Sequence, residues 1–269
     1  MVRRPAPLDR AVLAARTARA ERILVALDFD GTLAEITERP PDAALPAETR
    51  AVLRELSAVP RVTVAVVSGR ALSDLRTRVS GERLILAGNH GLEIEGGGIR
   101  FRHERAHELA ATLDAFCWDM EALLEGVPGM SVERKGVTAT VHYRQAPLAL
   151  REWLEATVEF ALAPYERDLR ARPGRMACEI LPRVAWDKGT ALATLLRHLG
   201  EPRPLVVAIG DDATDEDMFR AAGDGVTIRV GTAASAARYT VAGPAEVREV
   251  LEAIVEAQGA TQRPWRAAP

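Results

Sequence analysis

Five aliphatic residues, Ile23-Leu24-Val25-Ala26-Leu27, run straight into Asp28-Phe29-Asp30-Gly31-Thr32-Leu33. A short aliphatic run closed by a glycine predicts a strand buried on both faces, as in a parallel sheet. Two carboxylates at the end of such a strand would be costly inside a core. At the carboxyl edge of an open α/β sheet they stand where ligands bind. One segment therefore predicts both the class of fold and the edge on which its chemistry lies.

Similar runs recur at residues 62–67, 84–86, 205–209 and 226–230. Helical stripes lie between or after them: Leu192, Leu195, Leu196 and Leu199 form one, and Val247, Val250, Leu251 and Ile254 another. Strands alternating with helices predict a mostly parallel, Rossmann-like α/β core with helices on both faces. With 269 residues, 48% of them hydrophobic, the chain is long enough for such a core and a smaller insert.

The alternation breaks in the middle. A helix over 107–124 is expected, then strands at 131–135 and 137–143 around Gly136, a helix over 148–169, and a strand at 176–181. This order predicts a small α+β cap inserted into the core, giving core 1–100, cap 101–183 and core 184–269. Gly96-Gly97-Gly98 and Pro182 lie near the borders and suit linkers, with hinges near 96–99 and 182–185. Closure of the cap over a bound ester is expected, because it excludes water. The tail 261–269 is polar and expected to fray, and the first twenty residues match no useful pattern.

Four clusters stand at predicted strand ends or helix starts: Asp28 with Asp30, Ser68-Gly69-Arg70, Asp187-Lys188-Gly189, and Gly210-Asp211-Asp212-Ala213-Thr214-Asp215-Glu216-Asp217. Parallel strands share one carboxyl edge, so the four can converge. Crowded carboxylates repel one another, a divalent cation resolves that, and oxygen ligands favour Mg²⁺. Taken singly, Ser68 suits a helix cap, Lys188 a solvated surface, and the acids 215–217 a helix N-terminus. Together, a hydroxyl, an ammonium, backbone N–H groups and a metal would surround a phosphate, as phosphoryl transfer requires.

These four motifs, in this order, resemble those of the haloacid dehalogenase superfamily of phosphohydrolases. Within it the chain is similar to the trehalose-6-phosphate phosphatase family. The matching segments are Gly88-Asn89-His90-Gly91-Leu92-Glu93, Glu133-Arg134-Lys135, His142-Tyr143-Arg144, Glu179-Ile180-Leu181-Pro182, Trp186-Asp187-Lys188-Gly189 and residues 210–219. The resemblance spans roughly residues 23–241 and implies hydrolysis of trehalose 6-phosphate. Asp28 would be the nucleophile, forming an aspartyl-phosphate, and Asp30 the general acid and base. Ser68 and Lys188 would hold the phosphoryl oxygens. Mg²⁺ would be held by Asp28, the Asp30 backbone carbonyl and Asp211, with Asp212 and Asp215 completing or orienting the shell.

Substrate contacts would come from Asn89, His90 and Gly91 at the active edge, and from Glu133, Lys135, Arg144 and Glu179 in the cap. Two acids and an ammonium suit a polyol, and Glu133 and Lys135, two apart in one predicted strand, would share a face. A strand through Asp28 and Asp30 would likewise place both on one face.

A net charge of −3 gives no basic field for nucleic acid. No run of about 18 apolar residues predicts a membrane span, and no signal peptide is expected. Two distant cysteines, Cys117 and Cys178, suit a reducing, cytoplasmic compartment. The expected partner is a small sugar phosphate, and the resemblance implies a functional link to a trehalose-6-phosphate synthase. The competing readings are a glucosyl-3-phosphoglycerate or sucrose-phosphate phosphatase, and a non-catalytic phosphosugar-binding domain. A dinucleotide-binding dehydrogenase would need a Gly-x-Gly-x-x-Gly turn after a strand, and none follows Leu27.

Overall fold

The computed structural model of the chain describes residues 4–37, 39–79, 83–174 and 176–261. The expectation of a frayed tail falls on residues 262–269, outside the described residues. The chain divides into two compact units, Met1–Arg100 with Trp186–Pro269, and Phe101–Ala185.

The first unit is built on β1 (Ala6–Pro7), β2 (Ile23–Leu27), β3 (Val62–Val67), β4 (Ile85–Gly88), β5 (Glu93–Gly96) and β6 (Ile99–Arg102). Later in the chain β11 (Leu205–Gly210), β12 (Val226–Val230) and β13 (Tyr239–Val241) join the same sheet. Its order is β1-β13-β12-β11-β2-β3-β4-β5-β6. Pairing is parallel from β1 to β4 across that order, and antiparallel between β4 and β5. The order reverses at β2, which has β3 on one side and β11 on the other; such a switch point opens a crevice at the carboxyl ends.

Every residue of β2 is buried, as its unbroken aliphatic run predicts. Ile23, Val25 and Leu27 join one core cluster with Leu13 of α1 (Arg10–Arg19), Leu53 and Leu56 of α2 (Ala47–Ala58), and Leu75 of α3 (Leu72–Arg78). The stripe Val247, Val250, Leu251 and Ile254 of α9 (Pro244–Thr261) completes it. Residues 9–20 thus acquire a role: Asp9 caps α1 by accepting from the Ala11 N–H at 2.8 Å, and α1 packs on α9. The Gly96-Gly97-Gly98 segment is not an interdomain linker. It is the turn between neighbouring strands β5 and β6, where all three glycines have positive φ.

The second unit holds a four-stranded antiparallel sheet, β7 (Ser131–Arg134), β8 (Ala139–His142), β10 (Ala177–Pro182) and β9 (Leu169–Gly174), in the order β7-β8-β10-β9. Its apolar face, with Ala139, Val141 and Ile180, packs on Phe116, Cys117 and Met120 of α5 (Ala110–Leu123) and on Leu154 and Val158 of α6 (Arg151–Leu162). The expected 107–124 helix is two, with a short α4 (Glu104–Glu108) preceding α5. The expected 148–169 helix ends at Leu162, and a 3₁₀ turn with Pro164 follows. Leu169 then begins β9, because proline removes an N–H that the helix needs.

Candidate active site

Three of the four clusters stand at the ends of strands that neighbour one another in the sheet: Asp28 follows β2, Ser68 follows β3 and Gly210-Asp211 closes β11, while Asn89 and His90 follow the next strand, β4. Lys188 enters from a different direction. It is the first residue of α7 (Lys188–Leu199), whose N-cap Asp187 accepts from the Thr190 N–H at 2.7 Å. This cap fixes where the helix starts and therefore where the lysine emerges.

Lys188 is almost fully buried and donates to Asp28 Oδ1 at 2.6 Å and to Asp215 Oδ1 at 2.7 Å. Asp28, Asp211 and Asp215 each bring a carboxylate oxygen within 4.8 Å of the others. Three acids face one ammonium. Burial, followed by the charges of Asp215 and Asp211, pushes the Asp28 carboxyl well above its ordinary range despite Lys188. Burial and Asp215 push Asp211 up to about 7. Burial alone would lower Lys188, yet Asp215 and Asp28 overcome it and hold the ammonium firmly charged. The excess negative charge and all-oxygen donors fit a hard divalent cation.

Asp212 lies outside this group. Its Oδ1 accepts from the Ala213 N–H at 2.6 Å, so its side chain is turned onto its own loop. Asp215, at the start of α8 (Asp215–Ala221), also accepts from the Asp212 N–H at 2.9 Å and so clamps the 210–212 turn. Glu216 accepts from Ser235 and from the Ala236 N–H, tying α8 to a distant loop.

Asp28 and Asp30 do not share a strand face. The strand ends at Leu27, and the chain curls so that the Phe29 carbonyl accepts from the N–H groups of Leu33 and Ala34. Gly31, at φ +81°, permits the curl, and a Cβ there would stand 2.3 Å from Asp211 Oδ2. We expect Gly31→Ala to cost about 1–2 kcal/mol in backbone strain alone and to displace Asp211. Thermal melting with and without Mg²⁺ checks this: both the melting temperature and its rise with the metal should fall.

The curl sends the two acids to different partners. Asp28 meets Lys188, whereas Asp30 accepts from Arg70 through both oxygens, at 2.7 Å from Nε and 2.6 Å from Nη2. Ser68 does not cap the helix that follows, whose N-cap is Ala71; its Oγ instead accepts from the Arg70 N–H at 3.2 Å. Asn89 and His90 both have positive φ, at 51° and 58°. Left-handed backbone in two consecutive non-glycine residues is a strain that collects at functional sites. Their turn is tied to the Ser68 loop, with the Asn89 N–H on the Arg70 carbonyl and the His90 N–H on the Ser68 carbonyl. Asn89 is buried and donates through Nδ2 to Glu93 Oε2 at 2.9 Å, and Gly91 completes the turn.

In the second unit, strand register aligns Glu133, Thr140, Glu179 and Arg172 in one row across all four strands. Glu133 Oε2 lies 2.7 Å from His142 Nε2 and 3.8 Å from Lys135 Nζ, and Glu179 accepts from Arg172 Nε at 2.9 Å. Lys135 stands just past the end of β7 rather than within it, and Arg144 lies in the turn after β8. His142 enters the sequence reading only within a matching segment and Arg172 not at all; cross-strand pairing, which a single strand does not reveal, brings them to the two acids.

A solved haloacid dehalogenase-like hydrolase from Bacteroides thetaiotaomicron shares this fold, with a TM-score of 0.62 at 17% identity, covering 87% of this chain and 99% of that one. The C-terminal domain of the Candida albicans trehalose-6-phosphate phosphatase superposes with a TM-score of 0.80 at 23% identity, covering 95% of this chain and 99% of that one. The trehalose-phosphatase family model matches residues 26–245, and the chain belongs to that family. It is 31% identical over 273 residues to trehalose-phosphate phosphatase B of Arabidopsis thaliana, covering 95% of this chain and 72% of the relative. It is 38% identical over 240 residues to a trehalose-phosphate phosphatase of Mycobacterium marinum, covering 85% of this chain and 60% of that relative's length. Among the described residues no helix is long and apolar enough to cross a membrane.

Proposed function

We propose that the chain hydrolyses trehalose 6-phosphate to trehalose and phosphate, with Mg²⁺, through an aspartyl-phosphate on Asp28. The observation that carries this reading is the buried Asp28–Lys188–Asp215 array, with Asp211 beside it, at the switch point of the sheet. Lys188 holds Asp28 Oδ1, so Oδ2 is the attacking oxygen. A bond forms from that oxygen to phosphorus, and the phosphorus bond to the sugar oxygen breaks. Asp30 gives a proton to the departing oxygen. It then takes one from the water that attacks the aspartyl-phosphate, which restores both carboxyl groups. Ser68 and Lys188 hold the phosphoryl oxygens.

Asp28, the Asp30 carbonyl and Asp211 would hold Mg²⁺, with Asp215 orienting Lys188 and Asp212 shaping the loop. When bound, the ion neutralises charge on the phosphoryl group. In this reading Glu133, Lys135, Arg144 and Glu179 of the inserted cap read the sugar hydroxyls, and His90 contributes from the core edge between Asn89 and Gly91. Their unmet hydrogen bonds would penalise an ester lacking those hydroxyls. A functional link to a synthase that makes the substrate follows from the same reading, as does a cytoplasmic location.

The test is phosphate release from trehalose 6-phosphate beside glucose 6-phosphate, sucrose 6-phosphate and glucosyl-3-phosphoglycerate, with Mg²⁺ and with a chelator. Mg²⁺-dependent release from trehalose 6-phosphate alone is expected. Preference for another ester would retain the core chemistry and overturn the substrate, and no release from any would favour a binding domain.

A further inference from the structure

Arg70 is the residue around Asp30 that the proposed chemistry leaves without a role. Its guanidinium is nearly buried, whereas the Asp30 side chain is 39% exposed. The arginine is fixed on every side. It lies over the Phe29 ring, 5.2 Å from the centroid, and donates through Nη1 to Asp74 Oδ2 at 2.8 Å. Asp74 is held in turn by Arg78 Nε at 2.8 Å. The Arg70 backbone is pinned between Ser68 Oγ and the Asn89 N–H. A rigid, planar fork thus grips the more exposed carboxylate through both oxygens, which fixes the carboxylate plane as well as its position.

Resting on the assignment of Asp30 as acid and base, we propose that Arg70 is its positioning residue. The fork holds Asp30 apart from Asp28 and aimed along the loop, and in the reacting complex one oxygen stays on the guanidinium while the other carries the proton. Nε and Nη2 of Arg70 are given to Asp30 and Nη1 to Asp74, so the guanidinium serves carboxylates rather than the phosphate, and its anchors Phe29 and Asp74 would tie it in place during turnover. Asp28 and Asp30 are two residues apart, and this grip is what gives them separate tasks.

Leaving-group dependence separates this from a structural role. Specificity constants report the first phosphoryl transfer, in which a sugar oxygen needs a proton and p-nitrophenolate does not. Arg70→Met should lower kcat/KM for trehalose 6-phosphate about 100-fold but for p-nitrophenyl phosphate less than about 5-fold, the scale of a lost general acid. Arg70→Lys, with a charge but no fork, should fall between, and it carries the same comparison if Arg70→Met does not fold. Asp30→Asn should show the same split, and adding Arg70→Met to it should lower kcat/KM little further. Equal losses on both esters, or no loss, in folded Arg70 variants would overturn the proposal while leaving Asp30 in place. Absence of the split in Asp30→Asn would instead overturn the acid assignment on which it rests.

Discussion

Asp28→Asn should abolish turnover, by about 10⁴-fold or more, the scale seen when a reacting group is removed. The substitution is nearly isosteric, and Lys188 keeps Asp215 as a charged partner at 2.7 Å. The variant should therefore still melt in one cooperative transition while releasing no phosphate. A carboxamide can still accept from Lys188, but its oxygen is too weak a nucleophile for phosphorus. Phosphate release and a thermal melt on the same preparation check both halves. Near-normal activity would remove Asp28 from the chemistry.

Asp211→Asn should have the second-largest effect, and it should change sign with the property measured. Burial and Asp215 push the Asp211 carboxyl up to about 7, and burial raises Asp28 as well. A group raised in the folded state binds protons that the unfolded chain has already lost. Its contribution is fully present below its unfolded value, near 4, and is lost as pH climbs through its folded value. The metal-free parent should therefore lose melting temperature between about pH 5 and about pH 8. Asp211→Asn removes a buried charge, so metal-free it should melt higher than the parent at the alkaline end. Metal binding needs ionised carboxylates. Mg²⁺ should thus stabilise the parent more at about pH 8 than at about pH 5, and should do little for the variant. Activity should fall by more than about 100-fold, since even second-layer partners of a metal cost about 10–100-fold. Melting curves at the two pH values, with and without Mg²⁺, test the whole pattern. A parent indifferent to both pH and Mg²⁺ would contradict it.

What the sequence revealed follows from how parallel sheets are buried. Strands covered on both faces are mostly aliphatic, so β2 and β11 stood out as unbroken runs, β3 as one interrupted by Thr63 and β12 as one interrupted by Thr227 and Arg229, and polar residues at the ends of β2, β3 and β11 marked the active edge. Asp187 before a leucine stripe placed Lys188 at a helix start. Four features were hidden. The 93–102 hairpin alternates charged and apolar residues and turns on three glycines, so it resembled a linker. The strand at 169–174 followed a helical pattern, and only the proline at 164 hinted at the break. The pairing of Asp30 with Arg70 joins residues forty positions apart. It depends on the Gly31 curl, which no spacing rule records. The division of labour among the acids after Gly210 was hidden for the same reason. Asp211 and Asp215 face Asp28 while Asp212 faces its own loop, a difference of side-chain direction within one turn.

The central claim is that phosphorus passes through Asp28. The most direct measurement is an acid quench of the enzyme during steady turnover of trehalose 6-phosphate with Mg²⁺, followed by mass analysis of the peptide that contains Asp28. A phosphoryl group on Asp28, absent from Asp28→Asn and lost on treatment with hydroxylamine, is the predicted result. Sustained phosphate release with no phosphorylated Asp28 peptide at any quench time would contradict the account.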